Sequence, residues 1–384
     1  MKPNILIPMA GLGNRFVQAG FKIPKQLITI KNQQLIDISM NSIAYQDCNL
    51  IFIVRDEMVY NFNIDVILKK KFGDNIEIIV IDHLTQGSVC SCLYAKHLID
   101  NDAPLIIHTL DIEFRPVFDP CDPNNFVEDG LILTFKSNSS GYSYAKINDQ
   151  GYVQETAEKK AISENACVGI YAFTKGSDFV SYANAMIDEN NTTKGEFYIA
   201  PLYNYFIKSG KKIVTRSVDK MHIFGTPDEY YFYKDNVVKK LGDRPIAICS
   251  DHSGFELKEH LKVLLDKHNL AYIDFGPVLG RDCDYRDFIE LAAKSIQEKD
   301  CDIAFGFCRT GQGVNICANK FKGIRSALIY NDYAMEMAIR HNCANFFAIP
   351  SKDTSLEQLE SYLELCKIHT FDGGRHQKRI QELE

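Results

Sequence analysis

Residues 306–315, GFCRTGQGVN, follow an apolar run with a cysteine, an arginine, a threonine and then two further glycines, Gly311 and Gly313. Glycines in such a turn let backbone N–H groups face an anion, and a thiol can serve as a base or a redox centre. The residues alone therefore leave three chemistries open: a phosphate cradle, a redox thiol or a catalytic base. Against the redox choice, Cys308 has no second cysteine at a redox spacing. A second constellation opens the chain. MAGLGNRF, residues 9–16, follows the first apolar run, so Gly11 and Gly13 would let the backbone turn sharply and aim amides at a polyphosphate. A dinucleotide-binding loop would carry a third glycine where Phe16 stands. Arg15 and then Lys25, in IPKQL, suit a triphosphate and its pyrophosphate leaving group better, because both need cations.

The elements that must hold these residues can be read from the apolar pattern. NILIPMA, LIFIV and IEIIVI alternate with the longer amphipathic stretches LIDISMNSIAYQ and MVYNFNIDVILKKKF. Such βαβα alternation predicts a mostly parallel sheet with helices on its faces. LILTFKS, YSYAKIND, YVQETAEKK and ACVGIYAF then read as strands of a mixed insertion, before a helix near residues 196–211. A second βα series begins at IAICSD, after a helix over residues 228–241 that ends in KKLGDRP. This predicts an α/β protein of two domains, residues 1–240 and 245–384.

Composition narrows the classes. A chain of 384 residues exceeds what one core usually organises. With 46% hydrophobic and 24% charged residues it reads as globular, and no apolar run approaches a membrane span. The N-terminus lacks the h-region of a signal peptide, so cytoplasmic residence is expected. Twelve cysteines without paired CxxC spacing point to reduced thiols rather than disulfides or zinc sites. A net charge of −7 offers no general face for nucleic acid and fits small phosphorylated ligands better.

On its motifs, the first half resembles the nucleotidyltransferases that make sugar nucleotides from a sugar phosphate and a nucleoside triphosphate, over about residues 3–240. The Gly-rich loop is one motif. The others are LTQGSVCSCLYAK, IIHTLDIEF, ETAEKK with VGIYAF, GEFYIAPLYNYFI around Glu196, and FGTPDEY with Gly225 to Pro227, all in family order. The resemblance implies a Rossmann-like domain in which Gly11, Gly13, Arg15 and Lys25 bind the triphosphate. It further implies Gln86, Gly87 and Ser88 beside the base, Asp111 on Mg2+, and Glu158, Lys159 and Gly169 on the sugar-phosphate side. Taken singly, Asp111 could be a strand-end cap and Glu158 with Lys159 a solvated pair. Phe224 stands where the family often has a second metal aspartate, leaving Asp228, Asp219 or water as alternatives.

The second half resembles the ribose-5-phosphate isomerase B family with its galactose-6-phosphate isomerase relatives, through SDHSGFELK, GQGVNICANK, GIRSAL, RHNCAN and GGRHQKR. This implies a flavodoxin-like α/β sandwich that needs no cofactor and works as a homodimer with shared sites. Cys308 falls on the family's base position, the amides of the loop with Gly311, Gly313 and Asn315 on the enediolate holders, Thr310 on a contact to the sugar or the anion, and His341 on the ring-opening acid or base. Asp251, His252 and Tyr285 would contact sugar hydroxyls or phosphate, and Lys352, Arg375 and Arg379 phosphate. Arg309, Gln312, Arg286 and Lys352 depart from the family pattern, and Arg309 suggests a phosphosugar other than ribose 5-phosphate. Together the halves suggest an enzyme that isomerises a pentose or pentulose phosphate and activates it as a nucleoside diphosphate sugar for surface polysaccharide. CTP is favoured because the N-terminal motifs look most like cytidylyltransferases. The competing expectation is an isomerase-like half that only dimerises or senses sugar phosphate.

Overall fold

The computed structural model describes residues 1–30, 33–237, 241–278 and 283–383. The chain divides into two compact units, Met1–Tyr231 and Phe232–Glu384. Residues 238–240, at the end of the helix expected over 228–241, lie outside the described residues; before them run a helix, Pro227–Phe232, and a π-helical turn, Tyr233–Val237.

The first unit is built on a nine-stranded sheet. Asn4–Pro8 lies at its centre, parallel to Asn49–Arg55 on one side and Leu105–His108 on the other, with Glu77–Ile81 beyond Asn49–Arg55. Ile5 and Ile7 enter one apolar cluster and Leu6 the other, so this strand is covered on both faces. The sheet turns mixed at Asn165–Phe173, which runs antiparallel to Leu105–His108 and to Gly130–Lys136. Ser143–Ile147 and Val153–Glu158 continue it as a hairpin, as the insertion pattern predicts. The stretch expected as one helix, residues 58–72, is two, Asp56–Phe62 and Ile64–Phe72. Asn63 breaks it with φ 50°, a conformation Asn tolerates better than most residues.

The second unit carries a five-stranded parallel sheet ordered Tyr272–Asp274, Ile246–Ser250, Ala304–Cys308, Phe346–Pro350, Ser326–Leu328. The first three strands follow the flavodoxin-like order 2-1-3, and the last two are transposed. Phe305 and Phe307 pack on one face with Leu257, Leu261 and Leu265 of the helix Phe255–Lys267. Ala304 and Cys308 pack on the other with Ile289 and Ala293 of the helix Tyr285–Gln297. The result is a three-layer sandwich with its strands' C-terminal ends along one edge. No described helix is long and apolar enough to cross a membrane.

Candidate active sites in the two domains

In the first unit the catalytic candidates converge on a cavity of about 320 Å³ lined by Arg15, Ser88, Asp111, Glu158, Gly169 and Glu229, among others. Asp111 sits in the junction between Leu105–His108 and Ile112–Arg115, aimed by Leu110 with φ 60°, a left-handed conformation that costs a branched side chain energy and is held by its surroundings. His108 helps to hold it: Nδ1 accepts from the Leu110 amide at 3.4 Å, while Nε2 lies 3.2 Å from Ser39 Oγ. Full burial drives the His108 imidazole down to about 4, with the Ser39 carbonyl and Asp111 pulling the other way. Lys25, in the turn Lys25–Leu27, forms an ion pair with Asp111.

In the same lining, Glu158 accepts a hydrogen bond from Ser143 and is raised above the usual carboxylate range, chiefly by burial. Lys159 Nζ donates to the Tyr198 hydroxyl at 2.6 Å and lies over that ring. Burial, then Glu196, pushes the Tyr198 hydroxyl up, and Arg15 opposes them. Gly13 caps the helix Asn14–Gln18 at φ 61°; Gly11 lies in the exposed loop before it and Arg15 in its first turn. Gly87 is required by contact: at φ 117° a Cβ would lie 2.6 Å from both the Phe197 nitrogen and oxygen. The 86–88 turn is stitched to the 195–197 segment, with the Phe197 amide donating to the Gln86 carbonyl at 2.9 Å and Gln86 Nε2 to the Gly195 carbonyl at 3.3 Å.

Of the alternatives for a second metal contact, Asp219 and Asp228 are exposed and do not line the cavity. Glu229, which the motif reading passed over, does. Its carboxylate accepts from the Thr226 amide at 2.8 Å and is held above its ordinary range, first by burial and further by Asp111. A magnesium ion fits this donor set. Hard oxygen donors suit it, and Gly225 leaves a cradle that a side chain would fill, since a Cβ there would lie 3.2 Å from Asp111 Oδ2. Among the described residues no three His, Cys, Asp or Glu side chains converge, so substrate phosphates and water would complete the coordination.

In the second unit the candidates fall into two groups. The first lies at the C-terminal edge of the sheet. Cys308 ends its strand, buried; the Ser351 amide donates to its carbonyl at 2.9 Å, and the Lys352 amide to that of Arg309 at 3.2 Å. The Asp251 amide donates to the Phe307 carbonyl, and its carboxylate accepts from the Gly254 amide at 2.9 Å. His252 Nδ1 lies 3.2 Å from the Cys283 carbonyl; of the DCDYRDF motif, Asp282 is outside the described residues. Thr310 is exposed at the edge. Gly311, at φ 69° with its Cβ position 2.5 Å from a Leu328 methyl, turns the chain into the helix Gln312–Ala318. The first-turn amides of that helix, Gly313 included, have no intrahelical acceptor, whereas the Asn315 amide already donates to the Gly311 carbonyl. The Tyr285 ring lies so close to Gly313 that a Cβ there would come within 2.6 Å of it.

The second group is elsewhere. The helix Asp332–Arg340 starts just beyond the C-terminal end of Ser326–Leu328 and runs back against the strands, so His341, its C-cap, stands about 14 Å lower, at the opposite edge from Cys308. There the His341 and His376 rings stack at 4.2 Å. Arg340 bonds Asp372 at 2.9 Å, with His341 3.9 Å from the same carboxylate. Burial, His341, Arg375 and Arg379 lower the His376 imidazole to about 4 against Asp372. Within one chain Cys308 is thus not brought to His341, Arg375 or Arg379.

Residues 5–220, more than half of the chain, match the family model described as nucleotidyl transferase, and residues 246–383 match that of ribose/galactose isomerase. Ribose-5-phosphate isomerase B of Escherichia coli is 30% identical over 140 residues, 36% of this chain and 94% of that protein. Ribose-5-P isomerase B of Listeria innocua is 32% identical over 139 residues, with 36% and 94% covered. The chain belongs to both families. The crystal structure of a nucleoside-diphosphate-sugar pyrophosphorylase from Vibrio cholerae matches 60% of this chain and 99% of its own, at 28% identity and a TM-score of 0.54. The protein therefore joins a nucleotidyltransferase domain to a sugar-phosphate isomerase-like domain, as its motifs imply.

Proposed function

We propose that this nucleotidyltransferase–isomerase converts a pentose phosphate to or from its pentulose phosphate and transfers a nucleotidyl group, CMP from CTP, to a sugar phosphate. The product would be a nucleoside diphosphate sugar for surface polysaccharide. The observation that carries the first activity is one continuous cavity lined by Arg15, Asp111, which pairs with Lys25, and Glu158. A phosphate oxygen of the sugar phosphate attacks the α-phosphorus, forming a P–O bond as the bond to pyrophosphate breaks. Arg15 and Lys25 neutralise the departing charge, while Glu158 and Lys159 hold the sugar side and Gln86, Gly87 and Ser88 face the base. Mg2+ on Asp111 would supply further charge neutralisation at the phosphates.

In the second domain Cys308 removes the proton from the carbon beside the carbonyl and returns it to the neighbouring carbon. Thr310 and the amides that follow Gly311 hold the enediolate oxygen. Asp251, His252, Tyr285 and Lys352 position the phosphosugar. His341, Arg375 and Arg379 come from a second copy of the chain in a homodimer, a reading supported by their separation from Cys308 within one chain. Arg309, exposed beside the base, favours a substrate other than ribose 5-phosphate.

The test is a matrix of nucleoside triphosphates against pentose, pentulose and alditol phosphates, read by pyrophosphate release, with proton exchange from deuterated water followed for each aldose and ketose. CTP with one sugar phosphate is expected to dominate release. No release with any pair rejects the transferase reading, and no exchange with any phosphosugar rejects the isomerase reading.

A further inference from the structure

We propose that Glu229 is the second carboxylate of the cation site in the nucleotidyltransferase cleft, taking the part that Phe224 cannot play. The inference rests on the reading that Asp111 holds a divalent cation. Phe224 is fully buried, so its position offers the cleft no ligand, and the exposed Asp219 and Asp228 lie outside the lining. Glu229 reaches the cleft from the second residue past the proline that opens the helix Pro227–Phe232.

The geometry around Gly225 brings the two carboxylates to one place. A Cβ at this position would lie 3.2 Å from Asp111 Oδ2 and 3.5 Å from Glu229 Oε2, so those oxygens are at most 6.7 Å apart (3.2 + 3.5). Two oxygens on one Mg2+, each at about 2.1 Å, stand at most about 4.2 Å apart. Rotation of the two side chains closes the difference, and glycine leaves the space in which they meet. Glu229 Oε2, the oxygen near the Gly225 position, accepts from the Thr226 amide at 2.8 Å while the Glu229 amide donates to Thr226 Oγ1 at 3.3 Å, a capping box that fixes the side chain at the cleft; among the described residues Oε1 takes no hydrogen bond. Lys25, paired with Asp111, and Arg15 in the same lining supply positive charge for substrate phosphates, and two hard carboxylates together with those phosphates suit a divalent ion.

The test is Mn2+ binding to the full chain, followed by the paramagnetic resonance signal of free Mn2+, for the wild type, Glu229→Gln, Glu229→Asp and Asp111→Asn. Glutamine keeps an acceptor for the Thr226 amide. Glu229→Gln and Asp111→Asn are each expected to weaken Mn2+ at least about tenfold, as the loss of a contributing ligand does. Glu229→Asp, which keeps the charge, should retain part of the affinity. Wild-type affinity in Glu229→Gln with weakened Asp111→Asn overturns the role of Glu229 and leaves the Asp111 site standing. Unchanged binding in both, or none in the wild type, removes the cation site itself. Equal loss in the Gln and Asp variants with a lowered melting temperature makes Glu229 a strut for its helix and also overturns the proposal.

Discussion

The two domains gather their candidate site residues in opposite ways. The nucleotidyltransferase cleft gathers Arg15, Asp111, Glu158 and Glu229 around one cavity of a single chain. The isomerase-like domain keeps Cys308 at one edge of its sheet and His341, with its arginines, at the other. A mixed sheet with inserted hairpins can wrap a site from several sides. A parallel sandwich offers a site at the C-terminal ends of its strands, and here His341 stands away from that edge.

The comparison breaks most visibly if the two chemistries are not separable. Cys308→Ser is expected to lower proton exchange by about 10²–10⁴-fold and leave pyrophosphate release at the wild-type rate. Conversely, Lys25→Ala should cost nucleotidyl transfer about 10²–10³-fold with exchange untouched and an unchanged circular dichroism spectrum. A Lys25 variant that releases pyrophosphate normally removes the assignment of the cleft.

Acid sensitivity sharpens the contrast at a smaller scale. His108, with a folded value near 4 against an unfolded one near 6.5, contributes stability that is complete above pH 6.5 and is lost as pH falls toward 4. Denaturant titrations at pH 7 and pH 4 should show the first domain losing about 3 kcal/mol, a loss that His108→Asn removes. His376 is lowered partly by neighbouring cations, so Arg375→Ala with Arg379→Ala should raise its titration midpoint by nuclear magnetic resonance; no movement contradicts that cause. The gentlest test is complementation. Cys308→Ser and His341→Ala, each inactive in exchange, should regain about one quarter of wild-type exchange when equal amounts are mixed and allowed to swap subunits. No recovery argues for a site completed within one chain.

Much of this arrangement was legible in the sequence because its signals are local. Glycines after apolar runs mark turns at strand ends, and the alternation of Phe305 and Phe307 with Ala304 and Cys308 is visible before any fold is known. What stayed hidden depends on contacts between distant residues. Nothing in FGTPDEY says that Glu229 rather than Asp228 turns inward, because that choice follows from the start of one short helix. Apolar periodicity ran through Asn63 without revealing its left-handed turn. Lys258, in the middle of an amphipathic pattern, is fully buried because Asp274 and the Pro277 carbonyl receive its ammonium group, partners 16 and 19 residues away. The transposed last strands likewise follow from pairing, which composition does not encode.

The tight fit of Gly87 against Phe197 has a consequence for how ligands at its two sides affect one another. Tyr198, the next residue, is the partner of Lys159, so the turn at 86–88 and the sugar-phosphate side share two consecutive backbone positions. A ligand that shifts one of these backbone positions is expected to strain the other. By thermodynamic reciprocity, whatever occupancy of the sugar side does to affinity at the turn, occupancy at the turn does equally in return.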